Sequence, residues 1–423
     1  MRRPAILALA AVLAAGVTTA YLATSASAAA ACYPTWSSSA VYVGGGQVSY
    51  QGVNYQAKWW TQNENPATHS GQWDVWANQG ACGGTTPPTT PPPTTTPPPT
   101  TRPPTTPPPP PTPPPTTPPP TGNGQLPKHF LTGYWQNFDN PAQEIRLRDV
   151  PASYDLIAVA FADATSTPGA VSFSIDAGLS ASLGGYTDAD FTNDLAVLHS
   201  RGKKVVISVG GERGTISVAS SGAATNFANS IVSLIGAYGF DGVDIDLENG
   251  VDATYLGQAL RDIRNRTNPD LIITMAPQTI DMQSVGSQYF QLALSIKDIL
   301  TVVHTQFYNS GSMLGCDNSA AYAQGSVNFL VALACIQLEN GLRPDQVSLG
   351  LPAAPSAAGG GYVDPSVVNQ ALDCLGKGTN CGSFRPPRTY PGIRGAMTWS
   401  VNWDVTNGNG FADTVRPHLL TLP

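Results

Sequence analysis

Residues 240–248 read Phe240-Asp241-Gly242-Val243-Asp244-Ile245-Asp246-Leu247-Glu248. Side chains alternate across an extended strand, so Val243, Ile245 and Leu247 share one face and Asp244, Asp246 and Glu248 the other. The apolar face suits a sheet covered by helices. The opposite face stacks three carboxyl groups. Like charges crowded into a partly dry place are costly, so the site must share protons, bind a cation or supply hydrogen bonds. Such a strand does not arise for stability, which marks it as the working strand of an enzyme.

Three readings of that face stay open from the residues alone. A structural reading pairs the acids with Lys or Arg from neighbouring strands, yet the other strand ends offer little cationic material. A divalent-metal reading uses the acids as oxygen ligands, but no His cluster or water-binding loop flanks them. Acid/base work on a glycosidic bond fits best. A carboxylic acid kept protonated near neutral pH can protonate a leaving oxygen. Asp246 raises the cost of ionising Glu248, and the protons then belong to the coupled set.

Working outward, apolar strand-like runs recur at 130–135, 156–162, 204–211, 242–248, 271–278, 302–309, 347–352 and 395–399. Helical patterns such as 191–201, 224–238 and 255–265 fall between most of them. Eight strands alternating with helices predict an α/β fold, a (β/α)8 TIM barrel, over residues 125–423. An open doubly wound sheet is the alternative, but no Gly-x-Gly-x-x-Gly turn appears where a nucleotide fold needs it. Barrel enzymes keep their functional groups at the carboxyl ends of the strands, where Glu248 falls.

The 423 residues carry 21 Lys plus Arg and 28 Asp plus Glu, a formal charge of -7, and only 12% of residues are charged. With no basic patch, nucleic acid is not an expected partner, whereas a neutral polar ligand is compatible. Residues 1–30 read as a secretory signal peptide: Arg2 and Arg3, an alanine-rich apolar run, then Ala26-Ser27-Ala28. The run is short for a membrane span, and nothing later resembles one. The protein is therefore expected to be secreted and extracellular, without membrane association, and monomeric. Six cysteines in an exported chain suggest disulfides. They cluster as three sequence-local pairs, Cys32–Cys82, Cys316–Cys335 and Cys374–Cys381, with spacing that does not fit zinc.

Residues 31–83 form a small all-β unit dense in aromatics, with short strands joined by a Gly52 turn. So small a core needs a staple, which Cys32 and Cys82 can supply. It cannot bury all its rings, and those left outside make a flat surface suited to stacking on sugars. Trp36, Gly46-Gln47-Val48-x-Tyr50-x-Gly52-x-x-Tyr55-x-Ala57-x-Trp59-Trp60, Pro66, Trp73 and Gly80 resemble the chitin- and cellulose-binding modules of carbohydrate-binding families 5 and 12. The resemblance implies a binding face on Trp59 and Trp60, with Tyr55 and Trp73 beside them. Residues 84–124 are almost wholly Thr and Pro, an extended spacer.

In the large domain, Asp241-x-x-Asp244-x-Asp246-x-Glu248 is similar to the signature of family-18 glycoside hydrolases, the chitinases and their relatives. Ser208-Val209-Gly210-Gly211 precedes it, and Met275-Ala276-Pro277-Gln278, Gln306-Phe307-Tyr308-Asn309 and Trp399 follow in the family's order. The resemblance implies a retaining, substrate-assisted hydrolysis of β-1,4 bonds between N-acetylglucosamine units. Glu248 would be the general acid and later the base. Asp246 would orient the 2-acetamido group, Tyr308 would donate to its oxygen, and Asp244 would share a proton with Asp246, helped by Ser208 and Tyr134. Trp399 would floor the cleft, and Gln278, Gln306, Asn309 and Met275 would line the sugar subsites. His304 is expected to be a satisfied structural histidine. No cofactor and no metal is implied, and the partners are chitin and N-acetylglucosamine oligomers. About 40 residues separate the last two strands, too few for an inserted domain beside a helix, so the expected cleft is an open groove that cuts internally. The alternatives are an endo-β-N-acetylglucosaminidase on N-glycans, and a non-catalytic chitin-binding lectin-like protein. Against the latter, Glu248, Asp246 and Tyr308 are all present.

Overall fold

The computed structural model describes residues 30–42, 46–57, 61–62, 64–70, 75–83 and 125–423. The chain divides into two compact units, Met1–Pro110 and Pro111–Pro423. The expected signal segment up to residue 29 and the Thr/Pro-rich spacer lie outside the described residues, as do Trp59, Trp60 and Trp73.

In the second unit the strands are β1 (Phe130–Gln136), β2 (Leu156–Ala164), β3 (Lys204–Gly211), β4 (Gly242–Leu247), β5 (Ile272–Met275), β6 (Val302–Gln306), β7 (Val347–Pro352) and β8 (Gly395–Trp399). Each pairs in parallel with the next, and β8 pairs with β1, so the sheet closes into a barrel. The helices that pack outside it are α1 (Asp188–Ser200), α2 (Ser221–Tyr238), α3 (Ala253–Arg266), α4 (Gln288–Ser295), α5 (Val327–Glu339), α6 (Pro365–Lys377) and α7 (Gly410–Leu419). Their starts follow capping chemistry: the Ser220 side chain accepts from Ala223 N–H at α2, and Thr187 with Asp190 makes a capping box at α1. The β1–β2 connection departs from the repeat. It holds only the 3-10 turn Leu147–Asp149, stopped by Pro151, because the residue before proline is pushed out of helical geometry. Between β7 and β8 lie one short 3-10 turn and α6.

Strand parity sorts the core into two layers. Phe130, Tyr134, Leu156, Ala158, Ala160, Val206 and Met397 form the barrel interior. Leu131, Trp135, Ile157, Val159, Val205, Ile207, Val243, Ile245 and Leu247 join the helices in the outer layer. Val243 and Ile245 are fully buried and Leu247 nearly so. Each contributes about 1.5–3 kcal/mol, which offsets the cost of the carboxyls on the other face of β4. Cys316–Cys335 ties the loop after β6 to α5, and Cys374–Cys381 ties α6 to the segment that follows.

In the first unit, Gln47–Tyr50, Val53–Ala57 and Trp76–Ala81 make a three-stranded antiparallel sheet, and Cys32–Cys82 closes it. Gln51 and Gly52 both take positive φ, 49° and 76°, as a two-residue hairpin turn requires. The expectation for Tyr55 is corrected here. It is buried, cross-strand from Val48, in one core with Ala57 and Trp76, so it is not a surface ring. Even a small sheet must fill its covered face, and Tyr55 is spent there.

Candidate active site

β3, β4 and β5 set the carboxyls in place through register. Asp244 pairs with Ser208 on one side and with Thr274 on the other. All three face the barrel interior, so two hydroxyls fall beside one carboxyl. Ser208 and Tyr134 each donate to Asp244 Oδ2 at 2.6 Å, and Thr274 donates to Oδ1 at 2.6 Å. Asp244 is completely buried, and burial raises its pKa although the three donors pull it down.

Two pairs further along, Asp246 lies opposite Gly210. A Cβ at Gly210 would stand 2.0 Å from the Asp246 carbonyl oxygen, and its φ is +128°, so only glycine lets β3 approach here. Asp246 accepts from the Gln306 amide at 2.9 Å. Burial, and then the charges of Glu248 and Asp244, push its pKa well up. Glu248 stands at the rim, half-buried, and accepts from Gln306 and from Gln278 at 3.2 Å each. Its pKa is also raised, by burial first, against the two amides that favour its charged form. The Gln306 Nε2 thus sits between two carboxyls and also reaches the Ala276 carbonyl at 2.9 Å.

Tyr308 is buried next to this pair, and burial plus the Asp246 and Glu248 charges hold its hydroxyl protonated. Trp399 lies partly open at the end of β8. It stacks on Phe161 (centroids 5.9 Å, planes 17° apart) and Phe138 (6.3 Å, 28°), with Tyr134 tilted against it at 5.6 Å. A buried proton pool, a half-open carboxyl and a flat indole therefore share one mouth of the barrel. This can bind a sugar ring and exchange a proton with it.

The other expected residues divide. Ser208 and Tyr134 serve Asp244, and neither has a donor left for a sugar. Met275 is corrected: Thr274 points inward, so Met275 points outward and is fully buried in the layer under the helices, away from the cleft. Asn309 takes positive φ (51°) and holds the loop after β7, with its N–H donating to Gly360 O at 3.0 Å and its Oδ1 accepting from Gly360 N–H at 2.9 Å, while the residue stays exposed. His304 lies buried and neutral, its pKa lowered to about 3 by burial, with Nε2 3.2 Å from Thr132 Oγ1. It is only half satisfied, because Nδ1 has no partner among the described residues.

Sequence reasoning missed Thr274, Phe138, Phe161 and Asp281. Thr274 was findable: it is the polar member of the inward set Ile272, Thr274 and Ala276. It also missed Gly361 (φ +92°), where a Cβ would stand 2.6 Å from Tyr308 Cα, so the loop after β7 backs the tyrosine directly.

A barrel with this carboxyl ladder at its mouth defines a glycoside-hydrolase architecture, and the comparisons with known proteins agree. The family model "Glycosyl hydrolases family 18" matches residues 131–413, and "Carbohydrate-binding module family 5/12" matches residues 35–77. The chain belongs to glycosyl hydrolase family 18. A solved Streptomyces coelicolor protein assigned as a chitinase A is 64% identical over 70% of this chain and 99% of its own, with a TM-score of 0.68. A family GH18 chitinase from Chromobacterium violaceum is 31% identical over 92% of this chain and 100% of its own, with a TM-score of 0.65. Chitinase Chi52 of Paenibacillus xylanexedens is 37% identical over 70% of this chain. The chain spans 62% of the length of that relative.

Proposed function

We propose that this protein is a secreted chitinase that hydrolyses internal β-1,4 bonds between N-acetylglucosamine units of chitin with retention of anomeric configuration. One observation carries the reading: Asp246 and Glu248, both with raised pKa values, converge on the single Gln306 amide at the barrel mouth. The names of its relatives agree with the chitinase part of it.

In the first step Glu248 gives its proton to the glycosidic oxygen as that bond breaks. The acetamido carbonyl oxygen attacks the anomeric carbon, and positive charge develops on the amide nitrogen, beside Asp246. Tyr308 donates to the acetamido oxygen. In the second step water attacks the same carbon, Glu248 takes the water's proton, and the bond from that carbon to the acetamido oxygen breaks, restoring the acetamide of the free sugar. Two inversions give retention. Holding the nucleophile within the substrate supplies a large effective concentration. Trp399 carries the reacting ring on its face.

The β7–β8 connection holds only a 3-10 turn and α6, with no inserted domain, which supports internal cutting. The order signal peptide (1–30), binding module (31–83), spacer (84–124) and barrel (125–423) supports export and tethering to the solid polymer by one monomer, with the module raising local concentration. Three disulfides fit an oxidising compartment. The test is reducing-sugar release from colloidal chitin by wild type and Glu248→Gln. Wild type should release a ladder of oligomers and the variant should release almost nothing while still adsorbing. If wild type releases nothing while both adsorb, the protein is a chitin-binding lectin instead.

A further inference from the structure

Asp281 sits in the 3-10 turn Thr279–Met282, just beyond β5. Its Oδ2 accepts the Gln278 backbone N–H at 3.1 Å, and the Gln278 side chain in turn donates to Glu248 Oε2 at 3.2 Å. The Ser287 hydroxyl donates to the Asp281 carbonyl and closes the turn from the α4 side. The Asp281 carboxyl is half-buried and titrates near 6. Burial raises it first, the Gln278 N–H lowers it, and the charge of Glu248 raises it again. The other ionisable groups acting on this cluster are Asp244 and Asp246 on β4, Tyr308 after β6, Tyr289 on α4 and Glu212 after β3. None of them is a cation.

Resting on the reading of Glu248 as general acid, we propose that Asp281 is a positioning residue that governs how tightly Glu248 holds its proton. By fixing the turn, it aims the Gln278 amide at one oxygen of Glu248. That amide favours ionised Glu248, against the burial that favours the acid. The turn thus lets Glu248 give up its proton at lower pH than its burial alone would set.

The experiment uses the full chain with Asp281→Asn and Asp281→Ala. The asparagine keeps an acceptor for the Gln278 N–H and removes only the charge. The alanine removes both. On a soluble N-acetylglucosamine oligomer, the basic limb of kcat/KM against pH should move up by about half a unit or more in Asp281→Ala, with about a tenfold loss of kcat at the optimum from a misaimed amide. Asp281→Asn, which keeps the acceptor, should hold the limb near its wild-type place. A lower plateau with an unmoved limb would mean a merely structural turn and overturn the proposal. A second readout needs no turnover. The chain has five glutamates, so carboxyl 13C labelling gives five signals, with Glu248 assigned by its absence in Glu248→Gln. Its titration midpoint should rise in Asp281→Ala. A wild type that cleaves nothing counts against the chitinase reading, and an unmoved Glu248 midpoint counts against this one alone.

Discussion

Tyr134→Phe, Ser208→Ala and Thr274→Val each remove one hydroxyl from Asp244 and almost nothing else of the side chain's shape. The three bonds are all 2.6 Å, and the carboxyl is shut away from water. A hydrogen bond to an ionised group contributes about 1.5–3 kcal/mol net, and a neutral one about 0.5–1.5. The sign with pH follows from linkage. Burial raises the folded pKa of Asp244 above 3.8 despite its donors. Its contribution to stability is therefore fully present below 3.8 and is lost as pH rises through the folded value. The donors favour the charged form, so deleting one raises the folded pKa further and deepens that loss. Each single variant should be destabilised by about 1 kcal/mol near pH 4 and by about 2 kcal/mol near pH 8. The triple variant should lose less than the sum, because Asp244 turns neutral and the remaining bonds become ordinary ones. Urea unfolding at pH 4, 6 and 8, compared through midpoints at constant m, measures this. A gap of the same size at pH 4 and pH 8, or below about 0.5 kcal/mol throughout, would refute a donor-held carboxylate.

Gly210→Ala puts a methyl 2.0 Å from the Asp246 carbonyl at φ +128°; it should cost about 3 kcal/mol or more and about 100-fold in kcat through displacement of Asp246, and an unfolding curve and turnover rate like wild type would contradict the close approach. Gly361→Ala should push Tyr308, 2.6 Å from the new methyl, and lower kcat about tenfold or more with KM changed less; steady-state kinetics on an oligomer decides it, with an equal rise in KM pointing to simple loss of binding. Replacing Trp59 and Trp60 together by Ala should weaken adsorption to solid chitin by about tenfold or more while turnover of short oligomers stays near wild type, and parallel losses on both substrates would break the proposed division of labour. Asp281→Asn should leave stability unchanged below pH 3.8 and raise it above about pH 6, because a carboxyl raised on folding loses its contribution across that window; the ceiling is about 3 kcal/mol at about 1.36 per unit, read from urea midpoints at pH 3.5 and 8.

The features legible in the sequence were those written in a strand's own alternation. Val243, Ile245 and Leu247 against Asp244, Asp246 and Glu248 announce a two-faced strand, and the two faces are found in the outer layer and at the barrel mouth. Contacts set by register between strands were less visible. Ser208 and Thr274 stand on either side of Asp244 only because β3 and β5 slide into that pairing, and no local pattern states the slide. Ser208 was reached through its motif, and Thr274 had none. The Met275 expectation failed for the converse reason. Membership of the Met275-Ala276-Pro277-Gln278 motif implies contact with the sugar, whereas the period of two sends a residue next to an inward one outward.

The aromatic-rich module gives the same lesson from the other side. Counting rings correctly says that some must lie outside, but not which. Tyr55 is drawn in because its cross-strand partner is Val48 and the covered face needs volume. Asn309 goes further, since its neighbour Tyr308 is at the site and yet its own side chain holds a glycine loop. That loop, through Gly361, presses back on Tyr308. Residues consecutive in the chain therefore divide the work of one site: Tyr308 faces the carboxyls, and Asn309 secures the backing that keeps it there. A substitution at Asn309 should therefore change Tyr308 geometry through that loop, which is why residues around a catalytic group cannot be sorted by proximity in sequence alone.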